Sequence, residues 1–296
     1  MQKYLITLVL SVFTLFFTSC GKTDTGSTKP RVLVSIPPYI YFVEKIAGDL
    51  VDISTLAPEG SNPHLFEPTP KQIQEVYGSK VWIRLGENFE HKIAEILKQQ
   101  HKNLIVADLS QLLPNHTEHG HHGCSCAHHN HAHRDAKDLH LWMSPVLAKE
   151  QAGSICRALQ LALPEHKEIL DKRLGLFLSE LDALHEKIQN QLKPFANQAL
   201  IVSHPAFGYF CKDFGFTQIS IETEGKEPRP QDISKVLATA KTSLVKLVLI
   251  QEQYNNNGAI AIANELDLPL CNIDPYSTKY DEMLLKISTE IVKANE

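Results

Sequence analysis

Three histidines and an aspartate stand out by where they fall in the chain. His64 comes soon after the apolar run "VDISTL", His140 lies in "DLHLW", His204 directly follows "ALIVS", and Asp274 directly follows "LPLCNI". Their separations are 76, 64 and 70 residues. Three imidazoles and one carboxylate form a donor set that a divalent transition metal accepts in four-coordinate geometry. One histidine at a strand end is ordinarily a hydrogen-bonded cleft residue. Four such groups in the same topological slot form a set.

A denser cluster lies in "HTEHGHHGCSCAHHNHAHR". It holds His116, His119, His121, His122, His128, His129, His131 and His133, eight of the fifteen histidines, with Cys124 and Cys126 among them. No apolar periodicity organises it, so the segment 115–134 reads as a surface loop. Many donors with little to fix their geometry should bind several metal ions loosely, which makes this loop accessory to the first set. The bland alternative is a solvated low-complexity loop. Cys124 and Cys126 either add soft ligands or pair locally.

The elements that must position the four groups alternate regularly. "RVLVSI" is an apolar, β-branched run, and "PPYIYFVEKIAGDL" reads as a helix after its proline pair. "VDISTLAP" is the next strand. "TPKQIQEVYGS" is a short helix with Thr69 as its cap and Pro70 at its first position. "KVWIRL", "FEHKIAEILKQQ" and "NLIVADL" continue as strand, helix and strand, and "PVLAKEQAGSICRALQLAL" is helical. After residue 195 the alternation resumes through "QALIVS", "PAFGYFCKDFG", "FTQISI", "RPQDISKVLATAKT", "VKLVLIQE", "NNGAIAIANELD", "LPLCNID" and "STKYDEMLLKISTEIVKA". Strands alternating with helices predict α/β lobes with mainly parallel sheets. In such sheets ligands sit outside the carboxyl ends of the strands, where the four groups fall.

Between the two sets runs "PEHKEILDKRLGLFLSELDALHEKIQNQLKPF", residues 164–195, with proline only near its ends. Leu170, Leu174, Phe177, Leu178, Leu181, Leu184, Ile188 and Leu192 recur at three- and four-residue steps. Thirty helical residues would span about 45 Å, so this segment reads as a rigid helix joining an N-terminal lobe, 31–163, to a C-terminal lobe, 196–296.

The first residues set the compartment. "MQKYLITLVLSVFTLFFTSCG" has Lys3 and then a thirteen-residue apolar run from Leu5 to Phe17, the length of a signal-peptide core and short for a membrane span. Thr18 and Ser19 before Cys20 resemble a bacterial lipobox, which would make 1–19 a signal peptide and Cys20 the lipidated start of a flexible tether, 20–30. A plain secretory signal is the alternative. The expected location is periplasmic or extracytoplasmic, with membrane attachment through the lipid only. Net charge is −5, which gives no footprint for nucleic acid. Charged residues at 21% and apolar ones at 43% describe a globular body. Cys156, Cys211 and Cys271 remain. Export permits a Cys211–Cys271 disulfide, with buried free thiols as the equal alternative.

Four separated motifs, in order, resemble one family. "SNPHLFEPTPKQI", "DLHLWMSP", "SHPAFGYF" and "NIDPYS" are similar to the metal-binding motifs of the metal-specific solute-binding proteins of ABC transporters, the ZnuA/TroA-like group. "IETEGKEPRP" matches that group's Glu-Pro segment between lobes. The resemblance implies two α/β lobes bridged by one long helix, with a metal held between them by His64, His140, His204 and Asp274. It implies delivery to an ABC permease served by a separate ATPase, and a monomer. Manganese-preferring relatives commonly place Glu where His204 stands, so Zn2+ is favoured, with Mn2+ and Fe2+ as alternatives. Two departures bear on the surroundings of the ligands: "DLH" replaces Asp-Pro-His, and Tyr276 follows Pro275 where Leu-Gly is usual.

Two other classes of protein carry histidine-rich metal sites. A zinc hydrolase would need an open metal position and a nearby base. "HEKIQ" at His185 ends in Gln189 rather than a second histidine and reads as a solvated helix face; "GKT" at Gly21 lacks the first glycine of a P-loop; no Gly-x-Ser-x-Gly elbow occurs. The chain is therefore expected not to be an enzyme. A metal-buffering or adhesive lipoprotein is the other alternative.

Overall fold

The computed structural model describes residues 29–113, 138–222 and 228–296. The leader, Cys20, most of the tether and the His-rich loop with Cys124 and Cys126 lie outside the described residues. Among the described residues no helix is long and apolar enough to cross a membrane.

Two four-stranded parallel sheets carry the molecule. The first contains β1 (Arg31–Val34), β2 (Asp52–Thr55), β3 (Val81–Arg84) and β4 (Ile105–Asp108), in the order β2-β1-β3-β4. The second contains β5 (Ala199–Val202), β6 (Thr217–Ser220), β7 (Val245–Ile250) and β8 (Leu270–Asn272), in the order β6-β5-β7-β8. Val32 is paired with Ile53 on one side and Val81 on the other, and Ile201 with Ile219 and Val248. The central strands are apolar on both faces, as a parallel sheet covered on both sides requires; all four residues of β5 are buried. Each sheet reverses its strand order beside its first strand, between β1 and β3 and between β5 and β7. Crevices open at such reversals, at the carboxyl ends.

The crossovers are helical: α1 (Pro38–Ile46), α2 (Pro70–Tyr77) and α3 (Asn88–Gln100) in the first half, then α4 (Pro145–Ala162) after the insert. The start of α2 obeys its sequence signals. Thr69 Oγ1 accepts from the Gln72 backbone N–H, Gln72 Oε1 accepts from the Thr69 N–H, and Pro70 opens the helix. In the second half the helices are α6 (Gly208–Phe214), α7 (Pro230–Thr242), α8 (Asn257–Leu266) and α9 (Tyr280–Lys293).

The long helix α5 spans Lys167–Leu192, with 3-10 turns at Pro164–His166 and Lys193–Phe195 completing the expected segment. Its Leu170, Phe177, Leu181, Leu184, Ile188 and Leu192 are buried, and it packs on α1, α4 and α9. Phe177 meets Phe42 of α1 edge-on at 5.3 Å between ring centroids, and Phe42 meets Tyr280 of α9 at 5.1 Å. One continuous apolar cluster thus runs from the first sheet through α5 to the second. Burying an aromatic side chain is worth about 1.5–3 kcal/mol, so a wide hinge opening that exposed this seam would be costly.

The structure chooses between the two cysteine alternatives and corrects one expectation. Cys156, Cys211 and Cys271 are free, buried thiols, and no Cys211–Cys271 bond forms. Cys211 lies on α6, the crossover from β5 to β6, whereas Cys271 is on β8 at the opposite edge of the sheet. Burial pushes the Cys211 thiol up to about 12. His185 is not on a solvated face: it is half-buried and stacks on Phe214 at 5.2 Å, with Nδ1 shut away from water.

Candidate metal site between the two sheets

Each of the three histidines is delivered by a different connection at a carboxyl end. His64 sits between β2 and α2, and the turn that carries it is tied by Asn62, whose Oδ1 accepts from the His64 N–H at 3.0 Å. His140 follows β4 across the insert; "DLH" is not a strand but an irregular lead into a 3-10 turn, Leu141–Met143, ahead of α4. His204 lies two residues past β5, its backbone N–H donating to Gln251 Oε1 at 2.9 Å.

The three imidazoles form a nearly equilateral triangle. Ring centroids are 5.3 Å apart for His64–His140, 5.0 Å for His64–His204 and 5.3 Å for His140–His204. One ring nitrogen from each lies within 4.8 Å of the other two. His140 and His204 are buried and His64 is partly so.

Behind every imidazole stands a carboxylate. Glu87 Oε2 lies 3.0 Å from His64 Nδ1, Asp138 Oδ1 2.7 Å from His140 Nδ1, and Glu222 Oε2 2.7 Å from His204 Nδ1. These bonds set the tautomer: Nδ1–H donates outward, and Nε2 turns its lone pair inward. The Nε2 of His204 is buried with no partner. An unpaired buried acceptor is costly, and a cation at the centre would satisfy it. Three converging lone pairs, each held and made more basic by an anion, suit a metal ion with imidazole preference.

Glu87 and Glu222 lie three and two residues past β3 and β6, in the same topological slot as the histidines. The turn that presents Glu87 is built around a second buried acid. Glu90 accepts from the N–H groups of Leu85, Gly86 and Glu87, and burial raises its carboxyl to about 7 despite these bonds. Gly86 has φ of +106°, a conformation that favours glycine.

The electrostatics split the triad. For His64, burial pulls the imidazole down, but the hydrogen bond and charge of Glu87, helped by Glu222 and Asp138, outweigh it and hold the pKa above the ordinary value. For His204, burial dominates over its bond to Glu222, and His140 and His64 add to the fall, to about 4. Asp138 is buried too, but its bond to His140 and nearby imidazoles keep it below the usual carboxylate range.

Asp274, expected as a fourth donor, is left out of this group among the described residues. Its Oδ1 instead accepts from the Gln253 amide at 2.8 Å and from the backbone N–H of Tyr276 at 2.9 Å. An aspartate that bonds the chain two residues on is building a turn. That turn carries Tyr276, which is fully buried, into the triad. Its Oη lies 3.2 Å from His140 Nε2 and 3.3 Å from His64 Nε2. Tyr254 stacks on His204 at 4.0 Å between ring centroids and nearly parallel, with its hydroxyl 3.4 Å from that of Tyr276. Sequence reasoning passed over Glu87, Asp138, Glu222 and Tyr254, although applying the strand-end rule to all eight strands would have marked both glutamates.

Two α/β lobes sharing one long helix, with a histidine triad buried where their strand ends face each other, define a metal-specific solute-binding protein. Residues 32–294 match the family described as "Zinc-uptake complex component A periplasmic", and the chain belongs to that family. The family's role is transport rather than catalysis. A protein of Chlamydia trachomatis serovar D, described as metal-binding, is 30% identical over 283 residues, which are 95% of this chain and 97% of that one. The high-affinity zinc uptake system protein ZnuA of Bacillus subtilis is 27% identical over 251 residues, 83% of this chain and 78% of its own. A crystal structure of ZnuA superposes with a TM-score of 0.79 at 31% identity, covering 90% of this chain and all of the other.

Proposed function

We propose that this protein captures Zn2+ outside the cytoplasmic membrane and hands it to an ABC permease driven by a separate ATPase. His64, His140 and His204 are the proposed protein ligands. The observation that carries this is the convergence of three carboxylate-backed imidazoles in a buried seam between the lobes. Family membership and the zinc-uptake name of the Bacillus relative support both the cargo and the transport role.

The choice of zinc over Mn2+ or Fe2+ rests on the donors. Three nitrogens with no carboxylate among them suit zinc, whereas manganese relies more on oxygen. Copper should compete in a test tube by the Irving–Williams order. The chain has a leader and lipobox pattern that support attachment through a lipidated Cys20 in the periplasm or on the outer side of the membrane. The protein works as a monomer, and the histidines of 115–134 serve as a loose collecting loop. The packed seam around α5 opposes wide lobe motion, so metal entry and exit proceed through shifts of the strand-end loops.

Elemental analysis of protein purified without added metal, followed by competitive titration, tests the assignment. Zinc at one tight equivalent, displacing manganese and iron, is the expected result. Manganese or iron co-purifying and resisting displacement by zinc would overturn it.

A further inference from the structure

The triad supplies three vertices of a tetrahedron, and the structure holds a candidate for the fourth. A zinc ion bonds imidazole nitrogen at about 2.0–2.1 Å, which places neighbouring ligand atoms of a tetrahedral site ~3.3 Å apart. Tyr276 Oη lies 3.2 Å from His140 Nε2 and 3.3 Å from His64 Nε2. That is the spacing of a ligand edge. It is too far for the phenol to be standing in for the ion itself and close enough to complete its shell.

The phenol is held in place. Its ring is fully buried and packs on Trp142 at 5.5 Å. The Trp142 Nε1–H donates to the carbonyl of Pro275 at 2.7 Å, and the Tyr276 N–H donates to Asp274. Both polar groups of the Pro275–Tyr276 peptide are therefore clamped, the carbonyl from the first lobe and the N–H from the turn. Asp274, which a four-donor reading puts on the metal, fixes the backbone that aims the tyrosine.

We propose that Tyr276 Oη is the fourth ligand, so that the captured ion is bound by three imidazoles and one phenolate. The proposal rests on the reading of His64, His140 and His204 as ligands. Binding replaces the phenolic proton with the metal: one metal–oxygen bond forms, one O–H bond breaks, and the proton leaves. Tyr254 Oη, 3.4 Å away on a half-buried side chain, offers the way out, accepting this proton while releasing its own to water. An anionic oxygen here cancels one unit of the ion's charge, the part a carboxylate would otherwise play. It also links the fourth bond to α9's side of the second lobe, so all four donors come from different loops.

The test uses the full chain and the variants Tyr276→Phe, Tyr254→Phe and His140→Ala. Cu2+ is the optical probe, because a phenolate bound to copper absorbs in the visible and imidazole alone does not give that band. The expected result is a charge-transfer band in the parent chain and in Tyr254→Phe, and its loss in Tyr276→Phe with copper still bound. Histidines of the 115–134 loop cannot mimic this loss. For Zn2+, Tyr276→Phe should weaken the tight site by at least the roughly 10- to 100-fold that removal of an outer partner of a ligand costs. Phe keeps the ring and its packing, and the thermal melting of the metal-free variant checks that the fold is intact. If His140→Ala abolishes the tight site but Tyr276→Phe changes neither band nor affinity, or tightens zinc, the phenol is not a ligand. If His140→Ala leaves the tight site untouched, the triad reading itself has failed.

Discussion

Gly208 gives the sharpest test of whether the carboxylates behind the triad control metal binding. It opens α6 in the segment "SHPAFGYF", and its side touches the first lobe. A Cβ built there would lie 2.9 Å from Asp138 Oδ2. Ordinary contact starts at 3.4 Å, so Gly208→Ala must drive that oxygen back by about half an ångström. A free surface carboxylate would turn aside at no cost. Asp138 cannot, because its other oxygen holds His140 through both the backbone N–H, at 3.0 Å, and Nδ1, at 2.7 Å. Rotating the carboxylate loosens these bonds and lets the His140 ring tilt. Disturbing such a partner costs about 10–100-fold in metal affinity, and half an ångström distorts rather than deletes the bond, so about tenfold is expected, equivalent to ~1.4 kcal/mol. Fold stability should change little: a helix gains up to about 1 kcal/mol from Gly→Ala, which offsets part of the ~1–3 kcal/mol cost of overpacking. Competitive zinc titration beside a thermal melt of the metal-free protein separates the two effects. Parental zinc affinity in Gly208→Ala would refute the reasoning.

Other outcomes follow from the same structure. Gly175, inside α5, has no atom near its added Cβ, so Gly175→Ala should stabilise the protein by about 0.5–1 kcal/mol without touching zinc affinity; a lower denaturation midpoint would contradict this. The metal-free protein should lose stability relative to His204→Ala as pH falls from about 6.5 towards 4. His204 titrates near 4 when folded, so the unfolded chain takes the proton first; Glu90, raised to about 7, gains stability over much of the same window, and the raised His64 has given its full contribution by about 6.5, so the comparison with His204→Ala isolates the one histidine. A difference in urea midpoint between the parent and His204→Ala that stays constant across this window would count against it. Zinc affinity should begin to drop already above about pH 6.5, because His64 holds its proton there and must release it to bind; an affinity flat from about pH 7.5 to 6 would exclude that. Deleting residues 116–133 should remove weak, multiple sites in calorimetry and spare one tight site, and loss of the tight site would make the loop the primary binder.

How far the sequence revealed the site depends on how each residue announces itself. The histidines were legible because imidazoles beyond strand ends are rare and the alternation of "VLVSI", "VWIRL" and "ALIVS" with amphipathic stretches fixed where strand ends fall. The helix starts were legible where local chemistry decides them, as at Thr69–Pro70–Gln72. The supporting acids were not, because Glu87 and Glu222 look like any of the protein's 34 acidic residues until a sheet brings them beside an imidazole. Asp274 shows a different difficulty. Its place after β8 fits a ligand, but a short side chain two residues before a backbone N–H in a proline-containing turn has a nearer partner. Tyr276 was visible only as a departure from a pattern. Its role depends on Trp142, 134 residues away in sequence, whose indole pins the same turn. Cys211 and Cys271 share a lobe, but strand order rather than sequence distance separates them.

The central claim is that one ion sits among His64, His140 and His204. A crystal structure of the full chain soaked with one equivalent of Zn2+, with anomalous data collected at the zinc edge, tests it most directly. The account predicts one dominant peak about 2.0–2.1 Å from the Nε2 atoms of all three histidines. A dominant peak on the histidines of 115–134, or one bound by two or fewer of the triad, would contradict it.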